Sequence, residues 1–96
     1  MYNTISDVSL KEDILPANSS IASILAFPVD QFDWKSDGTH TDYGCIAQKA
    51  AEYAPEIVTK GEKWSVDYGR ITPRLIKAFQ ELAVKVAELE EKLNAK

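Results

Sequence analysis

Apolar residues recur along the last quarter of the chain with the spacing of a coiled coil. Intervals of four, three, four, three and four residues separate them, as the a and d positions of a heptad repeat require: Leu75, Phe79, Leu82, Val86, Leu89 and Leu93. Thr72 suits an N-cap, and Pro73 suits the first helical position because its missing N–H would be unpaired there. No Gly or Pro follows, so the pattern predicts a helix over residues 72–96.

A helix with this stripe has two interpretations. It either lies with its apolar face on its own domain, or it associates with copies of itself as a parallel coiled coil. With Phe79 at an a position, Lys85 falls at g and Glu90 at the next e, where the two can pair between neighbouring chains. The pattern favours association, but the residue types at a and d do not distinguish a dimer from a trimer.

Composition narrows the possible functions. A chain of 96 residues forms one domain with a limited core, so burial shared with another subunit would help it. The net charge of −4 argues against a nucleic-acid partner. With one cysteine, Cys45, and one histidine, the chain excludes an internal disulfide and a metal site of several Cys or His residues, and we expect no metal or cofactor. Neither a membrane-spanning segment nor a signal peptide is evident, which predicts a soluble chain made inside the cell.

The residues before the long helix predict small mixed elements. An extended lead-in at residues 6–14 is followed by a short helix, which Asn18, Ser19 or Ser20 can cap and Pro28 ends. A strand pair, a second short helix and a tight hairpin come next, at residues 29–35 with 43–46, 47–53, and 57–59 with 64–66. The expected fold class is α+β, mainly α, in which short helices and a small β-hairpin precede the long C-terminal helix. Cys45 is expected to be buried and inert, and Trp34, Trp64, Tyr53 and Tyr68 to be core residues.

Four blocks of the sequence, in this order and at compatible spacing, resemble one known family. They are Ser6-Asp7-x-x-Leu10-Lys11-x-x-Ile14, then Phe32-x-Trp34, then Gly44-x-Ile46-Ala47-Gln48 with Pro55-Glu56-Ile57-Val58, and last Val66-x-Tyr68-x-x-Ile71-x-Pro73-x-Leu75-Ile76-x-Ala78-x-Gln80-Glu81-Leu82. Together they resemble the C-terminal intramolecular chaperone domain of phage tail spikes and tail fibres, the S74 peptidase family.

The resemblance implies an organisation and a function. Such domains form homotrimers through a parallel trimeric coiled coil, assist the folding of an upstream fibre or spike shaft, and then release themselves by cutting their own chain. Carried over to this chain, residues 1–5 are the remainder of the upstream segment, residues 6–71 the mixed α/β body and residues 72–96 the trimerisation helix. The parent protein belongs to the virion tail, the chaperone acts in the host cytoplasm during assembly, and neither a nucleic acid nor a membrane is a partner.

The resemblance also assigns the chemistry. It makes the domain a single-turnover serine peptidase in which Ser6 is the nucleophile, Lys11 the base and the Ile5–Ser6 bond the cleavage site. From the residues alone, Ser6 is a loop serine and Lys11 a solvated lysine. Because they are five positions apart, they point to opposite faces of a strand and lie about 140° apart on a helix. They meet only across a turn or between subunits, and we favour the trimer interface. Asp7 and His40 are possible auxiliary residues.

One departure from the family pattern leaves an alternative open. The family commonly has an Arg two residues before the lysine, where this chain has Ser9. The chain is therefore either a self-cleaving chaperone, a trimerising chaperone that does not cut, or a coiled-coil part of a tail fibre. An enzyme acting on a diffusible substrate is disfavoured, because the sequence has no convergent acid and base pair with a binding cleft.

Overall fold

The structure is a computed structural model that describes residues 4–95. Residues 1–3 of the predicted upstream segment, and Lys96 of the predicted helix, lie outside the described residues. Within residues 4–95, three α-helices and two small antiparallel hairpins follow one another in the order α1 (Ile21–Leu25), β1 (Asp30–Asp33), β2 (His40–Gly44), α2 (Ala47–Tyr53), β3 (Val58–Thr59), β4 (Ser65–Val66) and α3 (Tyr68–Asn94). Short 3-10 helices occupy Val8–Leu10 and Pro55–Ile57. The mixed α+β class with a long C-terminal helix is therefore confirmed.

The first hairpin is tighter than predicted. Trp34 N donates to Thr39 O at 2.8 Å, and Gly38 N donates to Trp34 O at 2.8 Å, which closes the turn between β1 and β2. Gly38 has φ of 74°, a conformation that glycine adopts without strain. Because the turn closes at Thr39, the return strand starts at His40, earlier than the predicted start at Tyr43. His40 consequently lies on a strand.

Small side chains make up the core of the body. Ala50 and Ala54 of the α2 region are fully buried, and Ile57 is the largest fully buried side chain. The Pro55–Ile57 turn brings Ile57 against α2, and β3 then pairs with β4 in the register Val58 to Val66. The second hairpin occurs where the sequence predicted it, except that Ile57 belongs to the preceding turn and that β4 starts at Ser65, one residue after Trp64.

The long helix begins four residues before the predicted start at Thr72. Asp67 is the N-cap, with its carboxylate accepting from Gly69 N at 3.0 Å, and Tyr68 is the first helical residue. Pro73 therefore lies inside the helix, where it removes one backbone hydrogen bond. An Asp and a Thr are both good caps, and the prediction chose Thr72 because a proline follows it. The cap at Asp67 is favoured here because β4 ends at Val66 and the chain turns directly into α3.

Helix α1 is fixed to α3 by polar contacts over a long sequence separation. Ser20 N donates to Glu81 Oε1 at 2.8 Å, and Ser19 Oγ donates to the other oxygen of that carboxylate. Ser20 Oγ donates to Arg74 O at 2.8 Å, and Ser20 is buried. Ile21 packs below these contacts beside Ala78, so α1 covers only the N-terminal half of α3.

The single chain is more extended, and exposes more surface, than a compact domain of the same size. Its radius of gyration is 17.7 Å, whereas about 12 Å is expected for a compact domain of this length. Its accessible surface is 8396 Å², against roughly 5,500 Å² for a folded monomer of its mass. The excess follows from the small core and from the second half of α3, which α1 does not cover. No helix within residues 4–95 is long and apolar enough to cross a membrane.

Candidate functional site

Residues 6–11, the opening turn, bring the two predicted catalytic side chains together. Asp7 is the N-cap of the 3-10 helix Val8–Leu10, Leu10 N donates to Asp7 O at 3.1 Å, and Lys11 N donates to Val8 O at 3.1 Å. The 3-10 helix ends at Lys11, whose backbone is extended. The sequence predicted an extended lead-in over residues 6–14, which is wrong at Val8–Leu10 and at Asp13, where φ is 51°.

Within this turn Lys11 Nζ donates a hydrogen bond to Ser6 Oγ. The contact is made inside one chain, across a turn, so a second subunit is not required to form it. Both residues are exposed in the single chain. A lysine acts as a base only as a neutral amine, and burial is what favours that form. Ser6 and Lys11 are therefore close enough for proton transfer, but in the single chain they are not shielded from water.

Asp7 contacts the turn. Its Oδ1 accepts from Ser9 N at 2.8 Å and from Ser9 Oγ at 2.5 Å. The Ser9 hydroxyl first, and then its backbone N–H, hold the pKa of Asp7 below its usual range. Oδ1 of the Asp7 carboxylate is therefore occupied by hydrogen bonds from Ser9.

His40 lies in a different hydrogen-bond group. Its Nδ1 is 2.6 Å from Asp33 Oδ1, across the β1–β2 register, and its Nε2 is 3.2 Å from Asp42 Oδ1 and 3.1 Å from Gln31 Oε1. Among residues 4–95, no hydrogen bond joins this ring to Ser6 or Lys11. The single chain therefore gives His40 a place in the hairpin and does not bring it to the opening turn.

The other candidate side chains occupy structural positions. Cys45 is half-buried, and burial raises the pKa of its thiol, which disfavours the reactive thiolate. Trp34, Tyr53 and Tyr68 are exposed, so the expectation that they belong to the core is wrong for the single chain. Trp34 instead packs edge-on against Phe32, with ring centroids 5.3 Å apart.

The six heptad residues form an exposed apolar stripe on α3. Their side chains are between 46% and 70% exposed: Leu75, Phe79, Leu82, Val86, Leu89 and Leu93. Where α1 crosses α3, the stripe borders an apolar groove lined also by Ile24 and Leu25, and Leu25 is itself exposed. Sequence reasoning treated α1 as a separate helix and missed that its apolar residues extend the same surface.

Comparison with known protein families gives a match that includes the opening turn. A family model described as the chaperone of endosialidase, the S74 peptidase family, matches residues 6–59. The chain belongs to this family. The match covers more than half of the chain, begins at Ser6 and includes the opening turn, both hairpin strands β1 and β2, and α2. No match was found among curated proteins.

Membership establishes a chaperone role and hence a client protein. It confirms the resemblance for the first three blocks, which lie within the matched residues. The closing block, from Val66 to Leu82, lies beyond the match, and the resemblance there stays a prediction.

Proposed function

We propose that this chain is an intramolecular chaperone that trimerises through α3, assists the folding of an upstream phage tail fibre or spike, and then cuts itself off at the Ile5–Ser6 bond. The contact between Lys11 Nζ and Ser6 Oγ is the observation that carries the cleavage. In the family, a serine and a lysine at these positions are the expected pair, and the family match begins at Ser6. The trimer would act in the host cytoplasm, and the parent protein would enter the virion tail.

The exposed apolar surface supports a trimer. A single chain exposes far more area than a folded monomer of its mass, and the stripe on α3 continues to Leu93 beyond the reach of α1. Parallel packing of three α3 helices would bury the a and d residues, and Lys85 would face Glu90 of a neighbour. Residues 72–96 would then act as the trimerisation helix, and residues 6–71 as the body that engages the client.

Both catalytic groups of the proposed reaction belong to the opening turn. Neutral Lys11 takes the proton of Ser6 Oγ, and the oxygen attacks the carbonyl carbon of Ile5. The C–N bond then breaks, Lys11 returns the proton to the Ser6 nitrogen, and an ester joins Ile5 to Ser6 Oγ. Water attacks this ester, the C–O bond breaks, and the products are the Ile5 carboxylate and a chain that begins with the free amine of Ser6.

Assembly is the proposed trigger. In the single chain Lys11 is exposed to water. Burial of the opening turn against a partner chain would favour the neutral amine. Cutting would then follow alignment of the three chains.

Intact mass spectrometry of the purified 96-residue chain, combined with native mass spectrometry, tests this function. A trimer that loses residues 1–5 is expected, with Ser6→Ala remaining a trimer of full length. A trimer of full length for both chains would reject self-cleavage and leave a chaperone that does not cut, the alternative that Ser9 motivates. A monomer at micromolar concentrations would reject the trimer.

A third possibility, a structural coiled-coil part of a fibre, makes a different prediction. Both chaperone proposals require the body, so an upstream shaft expressed with residues 67–96 alone would misfold. If that shaft folds as well as one followed by residues 6–96, the helix alone is sufficient and the body is not a chaperone.

A further inference from the structure

Ser9 occupies the position where the family commonly has an arginine, yet it is engaged in the opening turn. Both of its donors, N and Oγ, point at one oxygen of Asp7, at 2.8 Å and 2.5 Å. These two contacts join Ser9 to Asp7. The backbone hydrogen bonds donated by Leu10 N and Lys11 N complete the turn. All of these residues are exposed, so no packing against the core holds the turn.

The placement of Lys11 depends on this turn. Five residues of extended chain would carry Lys11 about 16 Å from Ser6, and a longer helix would turn it to another side. Only one 3-10 turn, ended at Lys11, returns the amine to the hydroxyl. A side-chain oxygen at an N-cap is the usual device for stabilising such a turn, and Asn, Asp and Ser serve there about equally well.

We propose that Asp7 and Ser9 form a clamp that positions Lys11 against Ser6, and that Asp7 acts as a positioning residue through its cap and not through its charge. The inference rests on the proposed self-cleavage for its kinetic consequence, but not for its structural one.

Three substitutions separate the cap from the charge. Asp7→Asn keeps an acceptor oxygen and removes the charge, Asp7→Ala removes both, and Ser9→Ala removes only the hydroxyl donor. The clamp predicts a cleavage rate for Asp7→Asn close to that of the original chain, an intermediate rate for Ser9→Ala, and a loss of about tenfold for Asp7→Ala. The pH profile of the rate should keep its shape in all three, because the base is unchanged.

Two outcomes would reject the clamp. If Asp7→Asn is as slow as Asp7→Ala, or if both shift the pH profile, the carboxylate acts by its charge and the clamp is rejected. Native mass and thermal stability of the trimer serve as controls, and neither is expected to change because Asp7 and Ser9 lie outside the α3 stripe that is proposed to form the trimer.

A second measurement does not depend on cleavage. In NMR spectra of the lysine ammonium groups, Ser6→Ala should shift the Lys11 Nζ signal, and the shift should disappear when Asp7 is already Ala. Equal shifts in both backgrounds would overturn the clamp, whether or not the chain cuts. If the shift depends on Asp7 but the original chain does not cut, the clamp stands and self-cleavage is what fails.

Discussion

The opening turn and the α3 stripe differ in how much of each a single chain completes. The opening turn is exposed and polar, and its hydrogen bonds are satisfied within six consecutive residues. The α3 stripe is apolar and regular over almost the whole helix, yet its side chains remain exposed. Polar contacts of short range close in one chain, whereas apolar burial needs enough matching surface, which a core of this size does not supply. The proposed division of labour follows: the chemistry is carried by each chain and its timing is set by assembly.

The largest expected effect comes from placing a charge in the stripe. Val86→Asp puts a carboxylate at an a position, where three chains would bury three charges at a cost of several kcal/mol each, and should give a monomer in analytical ultracentrifugation. Val84→Asp is the matched control: Val84 is 57% exposed and Val86 is 46% exposed in the single chain, but Val84 lies outside the stripe. Equal loss of assembly in both variants would contradict the heptad assignment.

The same variant tests whether cleavage at the opening turn depends on assembly through the α3 stripe. Monomeric Val86→Asp should keep the hydrogen bond between Lys11 and Ser6 while losing the cut, because burial of Lys11 is lost. A monomer that cuts at the original rate would show that the opening turn needs no assembly.

Lys11→Arg should lower the rate of self-cleavage and leave the α3 stripe unchanged. Arginine keeps the positive charge and a hydrogen-bond donor but does not lose its proton in proteins, so it cannot act as the base. General base catalysis contributes at least about a hundredfold, and a loss of that size is expected in mass-spectrometric time courses. The trimer should persist, and a rate within a few-fold of the original would reject Lys11 as the base.

Ile57→Ala should destabilise the body by about 2 to 4 kcal/mol, since Ile57 is its largest fully buried side chain. Urea unfolding of the body, followed by tryptophan fluorescence, measures this loss. Ile14→Ala is the matched control, because Ile14 is 65% exposed and the same change there should be nearly neutral. Equal losses would indicate that Ile14 is buried in the assembly.

Glu81→Gln should have the smallest effect, a pH-dependent loosening of α1 from α3. Hydrogen bonds from the Ser19 side chain and the Ser20 backbone hold the pKa of Glu81 below its ordinary value of 4.5. Its contribution is therefore complete above that value and is lost as the pH falls through the lower pKa of the folded state. Thermal melts of original and Glu81→Gln chains should differ at pH 7 and converge towards pH 3. Glu88→Gln, at an exposed position of the same helix, should match the original throughout.

Much of the local structure was predictable because its causes lie within a few residues. The heptad spacing gave the long helix, Pro28 ended α1 close to the predicted place, and the Ser36 to Gly38 turn set the first hairpin. Ser6 and Lys11 could be named only through the family resemblance. Their contact depends on a 3-10 turn of three residues, which leaves no periodicity to read.

Local sequence patterns were sufficient to predict the apolar stripe and the order of the elements, whereas the serine and the lysine were named through the family resemblance. Only the tertiary structure decided which of two good caps starts α3, that His40 bonds within its own hairpin, and that Glu81 holds an α1 helix about sixty residues earlier in the chain. The reason is physical. Caps, turns and helical periods act over about four residues, whereas contacts between distant segments depend on how those segments pack, which no local spacing encodes.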